Sequence, residues 1–285
     1  TLICSGSHPF SLWSEQEITA DDRYRQLIDE VQWMGRRLQI FGVHVHVGVR
    51  SPEKAVVIAN AVADHIPHFL ALSASSPFWE GHDTGLASSR SKVFEGLPTA
   101  GLPPELTSWE DFETFMSTLV TAGAISTVRE VWWDVRPHPD FGTIELRMCD
   151  GIPSLGEVAS IAALAQSLVA HLDAAHDAGE EPGRKPAWLL AQNKWRAGRH
   201  GLDAELIVDE AGTVQPAREA IVELVERVRP EAVELGCATE LDGIAAILEV
   251  GPSYQRQRSA AAGDKTLLAV VDHLARELAS DELTR

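Results

Sequence analysis

VHVHVGVR at residues 43–50 and TIELRMC at residues 143–149 alternate residue by residue between apolar and chemically capable side chains. A strand turns successive side chains to opposite faces. Val43, Val45, Val47 and Val49 therefore share one face, and His44, His46, Gly48 and Arg50 share the other. In the second stretch Ile144, Leu146 and Met148 turn inward, while Thr143, Glu145, Arg147 and Cys149 turn out. If both strands belong to one sheet, two imidazoles, a carboxylate and two guanidiniums share a surface. Such a surface suits a divalent cation with a phosphate beside it.

The flanking sequence supplies helices and loops. Leu27, Ile28, Val31, Met34 and Leu38 recur at near-helical spacing and predict a helix over 21–39 leading into the first strand. Ser51 followed by Pro52 opens a second helix, which runs to a kink or stop at Pro67. Residues 73–106 hold no sustained period and read as a long loop, whose Trp79, Glu80, His82, Asp83 and Arg90 favour a functional one. A helix over 109–122 and a strand over 130–136 follow, and Pro137, Pro139 and Gly142 then predict an antiparallel turn into the Glu145 strand. Ser154 with Glu157 three residues later resembles a capping box for a helix reaching about residue 178. The clearest break lies at 179–186. Beyond it come a basic helical turn at 192–199, a hairpin at 202–209 turning at 210–212, and three helical stretches ending near Leu283.

A chain of 285 residues with 45% hydrophobic content can bury a large core and fits one large domain or two small ones. The expectation is a single catalytic domain over 1–285, with 179–186 as a candidate sub-boundary. The formal charge of -18 argues against a general nucleic-acid or anionic-membrane binder, because phosphate-backbone affinity comes mainly from Lys and Arg. Basic residues nonetheless cluster at Arg129, Arg136 and Arg147, at Lys194, Arg196 and Arg199, and at Arg256 and Arg258, which suggests small anionic ligands. Cys4, Cys149 and Cys237 are too scattered for a disulfide framework or a thiolate zinc site, so a reducing, cytoplasmic setting is expected. The apolar stretch 152–172 is broken by Glu157, Ser160, Gln166 and Ser167 and reads as a buried helix rather than a membrane span. No signal segment opens the chain. It begins at Thr1, inside the apolar run TLIC, as a fragment would.

Each candidate residue has a plainer reading beside the functional one. Two histidines on one sheet face can ligate zinc, iron, manganese or nickel, or can be hydrogen-bonded residues at the core edge. Glu145 joins a metal site only if its strand lies beside the first; next to Arg147 it is equally a salt-bridge partner. Arg136 and Arg147 can pair with the many acids, or present planar guanidiniums to a phosphate. Trp132 and Trp133 read as packing. Asn193, Lys194, Arg196 and Arg199 can form a solvated helix face, and Cys149 reads first as a buried structural thiol.

Four motifs in order are HVHVG (44–48), SPFWEGHDTGLASSR (76–90), WWDVRPHPDFGTIELRMCD (132–150) and NKWRAGRHGLDAEL (193–206). Together they resemble the carboxylate-amine ligase branch of the glutamate–cysteine ligase family, type 2. The likeness runs from SGSHPF (5–10) to YQRQR (254–258). It implies an α+β, glutamine-synthetase-like fold: a curved, mostly antiparallel sheet with helices on its outer face and ATP and divalent ions in the concavity. The His–x–His and Glu–x–Arg strands are more distantly similar to elements of glutamine synthetase. Carried over, that likeness makes His44 and Glu145 ligands of Mg²⁺ (or Mn²⁺), His46 a nucleotide-phosphate contact or a group supporting the metal ligands from behind, and Arg147 a phosphate clamp. Arg90 and Arg136 become candidates for holding the substrate carboxylate or the phosphates. Asn193, Lys194 and Arg199 become nucleotide-binding candidates, and His8, Trp79 and Asp83 candidates for the amino-acid pocket. The implied reaction is ATP-dependent: a carboxylate, glutamate by the family's example, is phosphorylated to an acyl phosphate, and an amine attacks it to form an amide.

One departure stands out. The family opens with a strand bearing a Gly–x–Glu–Glu–Glu metal-binding motif that has no counterpart here, and Glu180–Glu181 beside Pro182 cannot substitute for it. The resemblance therefore implies that the acidic strand comes from another segment, from a separate chain or from nowhere, and that this chain by itself can be inactive. A homo-oligomer is the default assembly. Two other readings are a non-catalytic nucleotide- or metabolite-binding subunit and a zinc hydrolase using His44, His46 and Glu145.

Overall fold

The computed structural model describes residues 1–180, 183–263 and 266–283. The elements run α1 (Asp22–Val31), α2 (Trp33–Arg36), β1 (Val45–Gly48), α3 (Pro52–Ala63), α4 (Ile66–Ser73), β2 (Phe78–Trp79), β3 (His82–Asp83), α5 (Ser89–Phe94), α6 (Trp109–Thr121), β4 (Val135–His138) and β5 (Thr143–Leu146). They continue with α7 (Leu155–Asp177), α8 (Ala187–His200), β6 (Glu205–Ile207), β7 (Val214–Pro216), α9 (Ala217–Leu235), α10 (Ala238–Val250), α11 (Ser253–Ala260) and α12 (Leu267–Ser280). The architecture is α+β, with more helix than strand. Among the described residues the strands form antiparallel sheets in the order β1-β5-β4, with β2-β3 and β6-β7 as separate pairs.

The two alternating stretches do become neighbours, with β5 in the centre. Ile144, Leu146 and Met148 are buried in the main core, and Val43, Val45, Val47 and Val49 pack half-buried against it. Contrary to the half-buried pattern, Glu145 on the other face of β5 and Arg147 just past its end are buried as well. The strand expected over 130–136 instead forms at Val135–His138, because Thr127 caps a 3-10 turn at Val128–Glu130 through the Arg129 amide. Pro137 fits there since β4 is a sheet edge, where a missing N–H breaks no ladder.

Ser51 caps α3 by accepting from the Lys54 amide. The helix stops at Asp64, bends by 61° and resumes as α4 with Pro67 in its first turn. Pro67 thus starts a helix instead of ending one, since its absent N–H would be unpaired in a first turn anyway. The helix expected over 21–39 is also broken, at Gln32, whose φ of 52° is left-handed. Residues 73–106 hold the β2-β3 hairpin and α5 rather than a structureless loop.

α7 is long and apolar enough to cross a membrane by composition. Its Ile161, Leu164, Leu168 and Leu172 make a buried stripe, and the helix packs against α3, α9 and α10. Each such side chain contributes about 2 kcal/mol of burial. Ser154 caps α7 by accepting from the Glu157 amide, but the Glu157 carboxylate does not return to the cap; it pairs with the fully buried Arg256, which also holds Glu277 of α12. Glu181 and Pro182 of the expected break lie outside the described residues. The main core takes Ile58 and Leu164 from before that break and Leu190, Leu224 and Ile244 from after it. Past the hairpin the described residues form α9 to α12, four helices where three stretches were expected.

Candidate active site

The strand register lines up the chemistry. His46 of β1 lies opposite Glu145 of β5, which lies opposite Arg136 of β4, so the three form a row across the sheet. Neighbouring strands sit about 4.8 Å apart, which brings these side chains within bonding reach. The alternating row, Val45, Leu146 and Val135, points into the core.

Glu145 is the hub. Its Oε2 accepts from Arg136 Nε at 2.9 Å and Nη2 at 2.6 Å. Its Oε1 accepts from Arg147 Nη1 at 2.5 Å and lies 3.1 Å from His44 Nδ1 and 3.5 Å from His46 Nε2. Burial pushes the carboxyl pKa up, yet the His44 hydrogen bond and the charges of Arg147 and Arg136 hold it well below the ordinary carboxylate range. Glu145 is therefore ionised at neutral pH. Burial, with the charges of Arg147 and Arg90, lowers the His44 pKa against the pull of Glu145. That keeps the imidazole neutral under the same conditions.

The two arginines of the sheet then part ways. Arg136 spends Nε and Nη2 on Glu145 and Nη1 on the carbonyls of Val128 and Val131, so it anchors the carboxylate. The expected hold on a substrate would have to draw on a guanidinium already bonded within the protein. Arg147 is tied to Glu145 by Nη1 alone, and its buried Nε has no partner. Arg90, from α5, donates Nη1 to the Met148 carbonyl and Nη2 to the Arg147 carbonyl, and its Nε is likewise buried without a partner. Arg90, Arg147 and His44 line a pocket of about 380 Å³. Leu38, Ile40, Phe41 and Phe94 form its apolar wall, and the Phe94 ring lies 5.6 Å from the Arg90 guanidinium carbon and 5.9 Å from that of Arg147.

Gly42 completes the arrangement, because a Cβ there would lie 2.2 Å from Arg90 Nη2. Sequence reasoning passed over Gly42 and Phe94. A glycine directly before the VHVHV run was a readable signal; nothing in the α5 sequence marked Phe94. At the outer end of the row His46 Nδ1 meets Thr143 Oγ1 at 2.9 Å, and Phe141 stacks on His138.

Other candidates are placed elsewhere. Asn193 is bonded in both directions to the Ile207 backbone, Lys194 Nζ bridges Asp134 and Glu95, and Arg199 donates to the Gly85 carbonyl. Their polar groups serve internal contacts, and neither a solvated helix face nor an open nucleotide contact describes Asn193 and Lys194, which are buried. Asp83 pairs with Arg258, Trp79 pairs with His82 across the small hairpin, and the His8 ring accepts from the Ser11 amide; none of the three lines the Arg90–Arg147 pocket. Cys149 is a buried thiol pushed up to about 12 by burial, as its plainer reading held.

What remains is a pair of buried guanidiniums with partnerless Nε atoms beside an apolar wall, chemistry suited to a carboxylate or a phosphate. The family model described as glutamate-cysteine ligase family 2 matches residues 1–273. The chain belongs to glutamate–cysteine ligase family 2. A protein of Frankia alni named "Putative glutamate--cysteine ligase 2-1" is 56% identical over 278 residues, covering 97% of this chain and 73% of that protein. One of Thermobifida fusca, "Putative glutamate--cysteine ligase 2", is 52% identical and covers 97% of this chain and 69% of its own length. One of the same name from Clavibacter sepedonicus is 50% identical, with 98% and 73% covered. Membership makes the chain an enzyme of the ligase class, a carboxylate-amine ligase.

A metal fits these residues less well than the family resemblance implies. Mg²⁺ and Mn²⁺ favour several oxygen ligands. Here one carboxylate, both of whose oxygens are in arginine bonds, stands between two imidazoles. Among the described residues no group of three or more His, Cys, Asp or Glu is arranged to hold a metal ion. His44 and Glu145 as they stand form a charge-paired row rather than a metal centre.

Proposed function

We propose that this chain carries the acid-binding half of an ATP-dependent carboxylate–amine ligase and joins glutamate, or an acid like it, to an amine through an acyl phosphate. The observation that carries this reading is the pair of unpartnered, buried Nε–H donors on Arg90 and Arg147 in one pocket. ATP, when bound, supplies the phosphoryl group that activates the carboxylate. The work of this chain's own residues is to bind and orient: Arg147 and Arg90 clamp the anionic group, and Glu145 with Arg136 holds Arg147 in place. Neutral His44 offers a polar contact without adding charge. Fixed donors cost no reorganisation as negative charge develops, and that is where ligation by acyl phosphate needs help.

The three-stranded sheet is, in this reading, part of a larger curved sheet of the glutamine-synthetase type. β1 is its edge, and a further strand carrying acidic residues would meet His44 and His46 there and supply the oxygen ligands that a divalent ion requires. The test is ADP release by the protein at its natural full length, over a panel of acids and amines with Mg²⁺ or Mn²⁺. Turnover with glutamate and an amine, lost in Arg147→Gln through a raised KM for the acid, supports the reading. Silence across the panel overturns it and leaves a binding subunit as the function.

A further inference from the structure

A second cavity lies away from the Arg90–Arg147 pocket and shares none of its lining residues. It measures about 310 Å³ and sits at the elbow between α3 and α4, closed by α7, α9 and, from the 179–186 break, Gly183 and Lys185. Asp64, His65 and His68 come from the elbow, Lys185 from the segment before α8, and Glu223 and Arg227 from α9. Its charges are unequally used. Asp64 accepts from the Lys185 amide at 3.0 Å with Oδ1 and at 3.3 Å with Oδ2, and Glu223 accepts from Gln215 Nε2 at 2.7 Å. Among the described residues neither the Lys185 ammonium nor the Arg227 guanidinium is in an ion pair. Nδ1 of His65 and of His68 is enclosed and without a hydrogen-bond partner. The α4 N-terminus opens here with no side-chain cap. Acids satisfied by other donors, two unpaired cations, two imidazoles and an uncapped helix start make a cavity short of one thing, a negative charge.

We infer that this elbow cavity is a binding site for a small oxyanion, a phosphate or a di- or tricarboxylate, held by Lys185, Arg227, His65 and His68. The inference does not depend on the ligase reading, and its test uses no turnover. Burial lowers both histidines, His68 to about 4 and His65 well below the ordinary value. The groups around them are Lys185, Arg227 and, from α7, His171, with the carboxylates of Asp64 and Glu223 on the same cavity. An anion beside the rings favours their charged form, so binding takes up protons and tightens as the pH is lowered.

The experiment follows the histidine ring nitrogens by NMR, with His65 and His68 assigned through His65→Gln and His68→Gln. Sodium phosphate and sodium succinate are titrated in separate arms at constant ionic strength, with chloride as the compensating salt. Saturable shifts at both rings in either arm support the site, and the arm that responds identifies the source. Arg227→Gln and Lys185→Gln should each weaken binding about tenfold, the worth of one charge-assisted bond. Arg147→Gln should leave it unchanged. No saturable shift in either arm, an equal shift with chloride alone, or shifts indifferent to both substitutions would overturn the inference.

Discussion

Replacing Glu145 with Gln keeps the side chain's shape and removes the charge that two buried guanidiniums share. Arg136 is 3% exposed and Arg147 8% exposed, so neither can turn to water for compensation. Breaking a buried ion pair by removing one partner costs about 3–5 kcal/mol. The amide oxygen of Gln can still accept one of the lost bonds, which places the expected loss near the lower end, about 3 kcal/mol in urea unfolding at neutral pH. The pH dependence gives an independent check. The folded-state carboxyl titrates below its ordinary value of 4.5, so the unfolded chain takes up this proton first. The contribution of Glu145 is thus complete above pH 4.5 and is lost as the pH falls from there toward the folded value. The variant has no such contribution to lose, so its deficit relative to the parent should narrow in acid. A deficit under about 1 kcal/mol at neutral pH, or one that stays constant as the pH is taken well below 4.5, would refute the view that Glu145 holds Arg136 and Arg147 by charge.

Gly42→Ala places a Cβ 2.2 Å from Arg90 Nη2 and should push the guanidinium off the Met148 and Arg147 carbonyls. The expected result is about 1–3 kcal/mol lost in urea unfolding and about a tenfold rise in the acid substrate's KM; unchanged values for both would show that Arg90 does not depend on that close approach. Arg256→Met leaves Glu157 and Glu277 buried without their shared cation, and thermal or urea unfolding should show about 3–5 kcal/mol of destabilisation. Cys149, buried and with its thiol pushed up to about 12, should stay unalkylated by iodoacetamide in the native protein and react only on unfolding, as peptide mass spectrometry would report.

The period-two alternation at 43–50 and 143–149 was enough to assign faces, because a strand has only two and hydrophobic burial chooses between them. On that basis Val45, Ile144 and Leu146 were legible as core, and His44, His46, Glu145 and Arg147 as one chemical surface. Local signals located Ser51 and Ser154 as helix caps for the same reason: a cap needs only its own next three residues. Where a signal depended on distant partners, the reading failed. Glu157 looked like the return arm of a capping box until Arg256, ninety-nine residues on, claimed its carboxylate.

Arg136 and Arg147 make the same point at the site. Both lie in the motif and both touch Glu145, so composition and spacing treat them alike. The carbonyls of Val128 and Val131 take Nη1 of Arg136, whereas the Arg147 Nε is left without a partner. Asn193 and Lys194 were drawn inward by the Ile207 backbone and by Asp134 and Glu95 in the same way. The sequence by itself determined the family, the faces of the strands and the residue types available for the chemistry. Only the tertiary structure decided which of those groups remain unspent, since a donor's availability depends on what long-range packing places against it.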